Sequence, residues 1–146
     1  VARRYHELRV AAFVQATEDE GKVLQAISNL LQGEPPGEVR RSMAEGVHHN
    51  PIVYLSLEIK KERQIERILE KWERMDFWQE AKRDIDERLD DGLTYHVRVD
   101  KEKAYQGNIE LWRGGESIEI RLKVATYPSS REGSMEIILQ GPQGVV

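Results

Sequence analysis

The sequence predicts an α+β fold: a two-layer sandwich with a mainly antiparallel sheet and helices packed on one face. Three observations predict it. Apolar and polar residues alternate with a period of two over 7–16, 51–60, 93–99, 108–113 and 116–126. Helical periodicity marks only the stretch after residue 17 and the stretch 61–89. Turn-forming residues separate neighbouring strand-like segments closely enough for hairpins.

The first strand is ELRVAAFVQA (7–16), where Leu8, Val10, Ala12 and Val14 alternate with Arg9, Ala11, Phe13 and Gln15. TEDE then opens a helix, with Thr17 as cap and Glu20 reaching back in capping-box spacing. The acids of that turn already satisfy the helix dipole and make it a poor anion site. Val23, Leu24, Ile27, Leu30 and Leu31 form one face, and Gly33 with PPG (35–37) stops the helix. VRRSMAEG (39–46) and PIVYLSLEIK (51–60) read as strands joined by VHHN. Val53, Leu55, Leu57 and Ile59 form the core side, Pro51 holds a first strand position, and Asn50 before it opens the turn.

From Lys61 to Leu89 the helical stripe is Ile65, Ile68, Leu69, Trp72, Met75, Trp78, Ala81, Ile85 and Leu89. Asp76, with Gln79 three residues on, is placed to cap a fresh start, which predicts two helices or one kinked helix. Asp90-Asp91-Gly92 ends it. Strands are expected again at 93–99, 108–113, 116–126 and 135–140, with Gly114-Gly115 as a two-residue hairpin signal. Without an internal repeat, low-complexity tract or second boundary, residues 1–146 are expected to form one domain.

Composition narrows the function. A chain with no cysteine forms no disulfide, thiolate metal site or cysteine nucleophile, which fits a cytoplasmic protein. No apolar run approaches the roughly 18–20 residues of a membrane span, and no secretory signal is expected. The net charge of −4 argues against a general nucleic-acid binder, but it is unevenly spread. Residues 61–91 hold eleven acids and eight bases, whereas 92–131 hold seven bases and five acids. One acidic and one mildly basic side is the expectation.

Phosphate-cradling, dinucleotide-binding and nucleophile-elbow motifs do not occur. His48 and His49, adjacent on the chain, would point apart on a strand and do not ligate one metal readily. Asp84, Glu87 and Asp91 share a helical face by spacing, and a magnesium-dependent nuclease would need acids converging from a second element. No catalytic residue, metal or cofactor is expected. Trp72 and Trp78 follow the helical stripe as core or rim anchors. If partly exposed, they would dock a protein partner on the acidic helical side.

The basic residues of the last third suggest RNA. On neighbouring strands Arg98, Arg121 and Lys123 would form a positive patch near Lys101 and Lys103, with Tyr105 to stack a base. A mixed-charge sheet face, neutralised by Glu110 and Glu119, is the alternative. Within DKEKAYQG, Asp100 is placed to cap the turn 101–104 and Gly107 to supply a positive φ.

Four segments, ATEDEGKVLQAISNLL (16–31), GVHHNPIVYL (46–55), RVDKEKAYQGNIEL (98–111) and KVATYPSSRE (123–132), together resemble the archaeal RNA-binding family described as predicted exosome subunits. The distinctive parts are the T-E-D-E helix start, the G-H-x-x-N-P-I turn, the D-K-x-x-A-Y-x-G turn and the Y-P-x-x-R-E segment. Here the second of these reads Gly46-Val47-His48, displacing the histidine. The resemblance implies a fold like that of the large-subunit ribosomal protein that binds 5S rRNA. It also implies RNA as partner, with exosome or ribosome-maturation proteins around it, and no catalytic residues. Carried over by motif are Asn50, Asp100, Lys101, Tyr105, Gly107, Tyr127 and Arg131, with Pro128 ending a strand. Arg98, Lys101, Lys103, Tyr105, Arg121, Lys123 and Arg131 are the expected RNA contacts, through phosphates and unpaired bases, with steep salt dependence.

Overall fold

The computed structural model describes residues 4–35, 37–46 and 48–142. Arg3, Pro36 of the predicted helix stop and Val47 of the turn after Gly46 lie outside the described residues. Five strands, β1 (Tyr5–Val14), β2 (Val39–Glu45), β3 (Pro51–Ile59), β4 (Thr94–Asp100) and β5 (Ser117–Val124), form one antiparallel sheet in the order β2-β3-β1-β5-β4. Helices α1 (Glu20–Leu30), α2 (Glu62–Glu73), α3 (Asp76–Arg83), α4 (Ile85–Arg88), α5 (Lys101–Tyr105) and α6 (Arg131–Gln140) pack against it. The α+β class and the antiparallel sheet follow the sequence.

Alternation decides the two faces of the sheet. Leu8, Val10, Ala12 and Val14 of β1, Leu55, Leu57 and Ile59 of β3, Tyr95, Val97 and Val99 of β4, and Ile118, Ile120, Leu122 and Val124 of β5 are all buried. They close a core with Val23, Ala26, Ile27 and Leu30 of α1, Ile65, Ile68, Leu69 and Trp72 of α2, and Phe77, Trp78 and Ala81 of α3. Each buried Val, Leu, Ile or Phe among them contributes roughly 1.5–3 kcal/mol by leaving water. A one-residue slip would turn an entire strand's apolar set to solvent, so the register is strongly specified. Trp72 donates its indole N–H to the Leu30 carbonyl at 2.8 Å, tying α2 to the end of α1. Its ring meets Phe77 and Trp78, and Trp78 meets Tyr95 edge-on at 5.5 Å.

Several local expectations are corrected. Thr17 does not cap α1. The helix begins later, Asp19 is the cap and accepts from the Gly21 N–H, and Glu20 reaches Arg41 on β2 instead. The long helical stretch is broken twice, at Arg74-Met75 and at Asp84, giving three helices where two or one kinked helix were expected; Asp76 is the first residue of α3 rather than its cap, and Gln79 donates to the Glu73 carbonyl. Asp84, Glu87 and Asp91 do not share one helix: α4 ends at Arg88, and Leu89 is extended and bridges Tyr95.

Residues 108–113 are not a strand of the sheet. After α5 the chain returns along the outer edge of β4 through a single bridge, Leu111 to Val99, so Gly114-Gly115 bends into β5 rather than closing a hairpin. Residues 135–140 belong to α6, capped by Ser130, whose hydroxyl accepts from the Gly133 N–H. A short run such as Ile137-Ile138-Leu139 reads equally well as strand or helix.

Candidate nucleic-acid interface

The face of the sheet turned away from the core carries the other half of each alternating strand. Cross-strand register sets its residues in rows. One row runs Arg40, Ser56, Ala11, Glu119, Arg98 from β2 to β4, and the next runs Glu58, Arg9, Arg121, His96. Beyond it Glu7 faces Lys123, which faces Thr94. At the other end Phe13 pairs with Tyr54, their rings 4.9 Å apart and tilted by 43°, and Phe13 is 44% exposed. At the β4 edge the Arg98 guanidinium lies 5.4 Å from the centre of the Trp112 ring, itself 39% exposed.

Cations outnumber acids on this face. Arg9, Arg40, Lys60, Arg98, Arg121 and Lys123 stand against Glu7, Glu58, Asp90 and Glu119, on a chain whose net charge is −4. Many are paired: Arg9 with Glu58, and Arg98 and Arg121 with the two oxygens of Glu119 at 3.4 Å each. The Arg9 hydrogen bond holds the Glu58 carboxyl below its ordinary value. His96 Nε2 lies 2.7 Å from Asp90, which with the Thr94 N–H lowers the Asp90 carboxyl in the same way. Between these groups runs an open groove of about 360 Å³, lined by Glu7, Arg9, Glu58, Lys60, Asp90, Thr94, His96, Arg121 and Lys123. Such a surface presents cations beside exposed ring faces. Among the described residues no three acids or histidines converge to hold a metal ion.

The structure brings together only part of the predicted set. Arg98, Arg121 and Lys123 lie on the open face. Lys101 does not: its ammonium is buried, donating to the Phe13 carbonyl at 3.0 Å and to Glu18 at 2.8 Å. That lysine is spent on the fold, where it fixes the backbone behind the Phe13 ring. Lys103 is on α5 and reaches Glu110 at 3.4 Å, while Tyr105 turns toward α1, with the Lys22 ammonium 5.5 Å from its ring centre. Arg131 starts α6 and donates to the carbonyls of Leu89 and Asp86, tying α4 to the C-terminal helix.

Of the motif residues, Asp100 accepts from the Lys103 N–H as expected and Gly107 has φ +92°. Asn50 accepts from the Gly46 N–H across the β2–β3 turn, and Pro51 begins β3. Tyr127 is fully exposed before a cis Pro128, beyond the end of β5. Phe13, Tyr54, Arg9, Arg40 and Trp112 were missed as site residues. The signal for the first two was present, an aromatic on the polar side of each of two alternating strands.

The family model described as RNA binding matches residues 7–124, which include every strand from Glu7 of β1 to the end of β5. The chain belongs to this RNA-binding family. An RNA-binding protein of Pyrococcus abyssi is 33% identical over 149 residues, spanning 95% of this chain and 94% of the relative. A crystal structure of a DUF54 protein from Archaeoglobus fulgidus superposes with a TM-score of 0.83 at 34% identity, covering 93% of this chain and 98% of that one. The structure of a DUF54 protein from Methanothermobacter thermautotrophicus gives 0.80 at 31%, covering 94% and 97%. The match of the RNA-binding family therefore extends over the same strands whose outer residues build the basic, aromatic face.

Proposed function

We propose that the chain is a non-catalytic RNA-binding protein and that the open face of its sheet is the contact surface. The observation that carries this reading is exposed Phe13, packed on half-buried Tyr54 beside rows of arginine, on a chain whose overall charge is negative. An exposed aromatic next to cations offers a platform for a base and a counter-charge for its phosphate. Family membership and the RNA-binding relative support RNA as the ligand.

The quoted motifs support a cytoplasmic accessory role in RNA processing or degradation, beside an exosome, or in ribosome maturation. They also support a relation to the ribosomal fold that holds 5S rRNA. The rival, docking of a protein through the acidic helical side, needs an apolar anchor there. Trp72 and Trp78, its expected anchors, are 0% and 1% exposed in the core.

Matched charge reversals test the surface. Arg121→Glu with Lys123→Glu should reduce RNA affinity, measured by fluorescence anisotropy at low salt, at least tenfold. Arg63→Glu with Arg83→Glu, exposed on α2 and α3, makes the same change in net charge and should cost far less. Equal losses from the two pairs would show that only overall charge matters and would sink the open face as the site.

A further inference from the structure

We infer that the open face takes single-stranded RNA, stacking unpaired bases at two separate platforms, Phe13–Tyr54 and Trp112, with the intervening phosphates over the Glu119–Arg98 row, where the Arg98 and Arg121 guanidinium groups meet. This rests on the reading of that face as the RNA surface and goes further by naming the strandedness and the mode.

Charge argues against a duplex. A double helix shows a flat protein surface its phosphates and riboses, so its affinity rests on unneutralised cations. Here Arg9, Arg98 and Arg121 each already hold a carboxylate, and each must exchange it for a phosphate. The electrostatic gain is then small, and another interaction must supply most of the affinity.

The exposed rings supply it. Bases in a duplex are stacked on one another and cannot lie on a side chain, whereas unpaired bases stack on any aromatic face, whatever their identity. Phe13 and Trp112 are both large, apolar and well exposed on an otherwise polar surface. Phe13 is on β1, and Trp112 lies beyond β4, with β5 and β4 intervening. That is three strand spacings, or about 14 Å across the sheet. Bases stacked about 3.4 Å apart would not reach both rings as neighbours. The platforms thus hold different nucleotides of one extended strand. Glu119 and Arg98 lie on the path between them, and the Arg121 guanidinium reaches Glu119 from the next row. Lys101, donating to the Phe13 carbonyl from the core side, keeps the first platform in place without touching the ligand.

Tryptophan fluorescence reports the event directly. Of the three tryptophans, Trp72 and Trp78 are buried and Trp112 is exposed, so a stacked base quenches Trp112 alone. The chain would be titrated with a ten-nucleotide single strand, a blunt duplex of the same length and an abasic strand of equal charge, with anisotropy in parallel. The single strand is expected to bind at least tenfold tighter than either comparator and to quench emission. Trp112→Phe should lose most of the quench, Trp112→Ala should weaken single-strand binding as well, and Phe13→Ala should weaken single-strand binding about tenfold with unchanged folding. Duplex or abasic binding as tight as that of the single strand overturns the stacking mode while the RNA surface stands. No binding of any RNA at low salt overturns the surface itself.

Discussion

The two faces of the sheet are made from the same strands, yet they hold opposite kinds of residue. On β1 the even positions Leu8, Val10, Ala12 and Val14 are buried under helices, while the odd positions Glu7, Arg9, Ala11 and Phe13 lie on the open side. The covered side is apolar and stacked with aromatics. The open side is a lattice of arginines, carboxylates and a few rings. Stability and ligand chemistry are thereby assigned to alternate residues of one strand, and substitutions one position apart should differ in kind.

The largest expected effect attacks the covered side. Trp72→Ala removes a fully buried ring and its bond to the Leu30 carbonyl, and should cost about 3–5 kcal/mol of unfolding free energy by urea denaturation. A loss under 1 kcal/mol would show that α2 and α3 do not share one core with the sheet. Lys101→Ala comes next and tests the charged residue that is buried among the described residues. It leaves Glu18 and the Phe13 carbonyl without their cation, for roughly 2–3 kcal/mol, moderated because Glu18 is 29% exposed. If Lys101→Ala instead left stability intact and abolished RNA binding, the division between the faces would fail at this residue.

The case of Lys101 shows what the sequence conveyed. Period-two alternation placed the core side of β1, β3, β4 and β5 correctly, because one buried face leaves no freedom of register. The same alternation put Arg98, Arg121 and Lys123 together. It could not say that Lys101, two residues past Val99, turns inward at the start of a five-residue helix, since that depends on Glu18 and Phe13 far off in the chain. Residues 108–113 alternate like a strand but make only one bridge, and α6 was misread because Ile137-Ile138-Leu139 is too short to show a period. Tyr105 is an aromatic near lysines in the sequence but turns toward α1, whereas exposed Phe13 and half-buried Tyr54 meet on the open face. Their cross-strand contact exists only once β1 and β3 are in register.

On the open side, effects should appear in binding and not in folding. Phe13→Ala should leave the urea midpoint nearly unchanged, since the ring is half exposed, while RNA affinity falls by about 1–3 kcal/mol if a base rests there. Val14→Ala, one position along and buried, should do the reverse. A milder effect is expected for Arg121→Ala with Lys123→Ala. If each contacts one phosphate of a single strand, the slope of log affinity against log salt should become shallower by about 1.4. An unchanged slope would place the phosphates elsewhere on the sheet.

The smallest effect concerns the rim of the groove, where the open face contributes to the fold at all. Asp90 has its carboxyl lowered first by the hydrogen bond with His96 and then by the Thr94 N–H. A carboxylate depressed in the folded state stabilises that state above its unfolded pKa of about 4. The contribution disappears as the pH falls through the lower folded value. Both side chains are over a third exposed, so solvent screening confines the contribution to roughly 0.2–1 kcal/mol. Asp90→Asn should therefore reduce stability slightly at pH 7 and flatten the acid limb of a plot of melting temperature against pH. The variant and the parent should converge at low pH, where neither carries that charge. An acid limb identical to the parent's at every pH would mean that the Asp90–His96 contact adds nothing to folding. The separation between a face that stabilises and a face that binds would then extend to the groove's last paired charge.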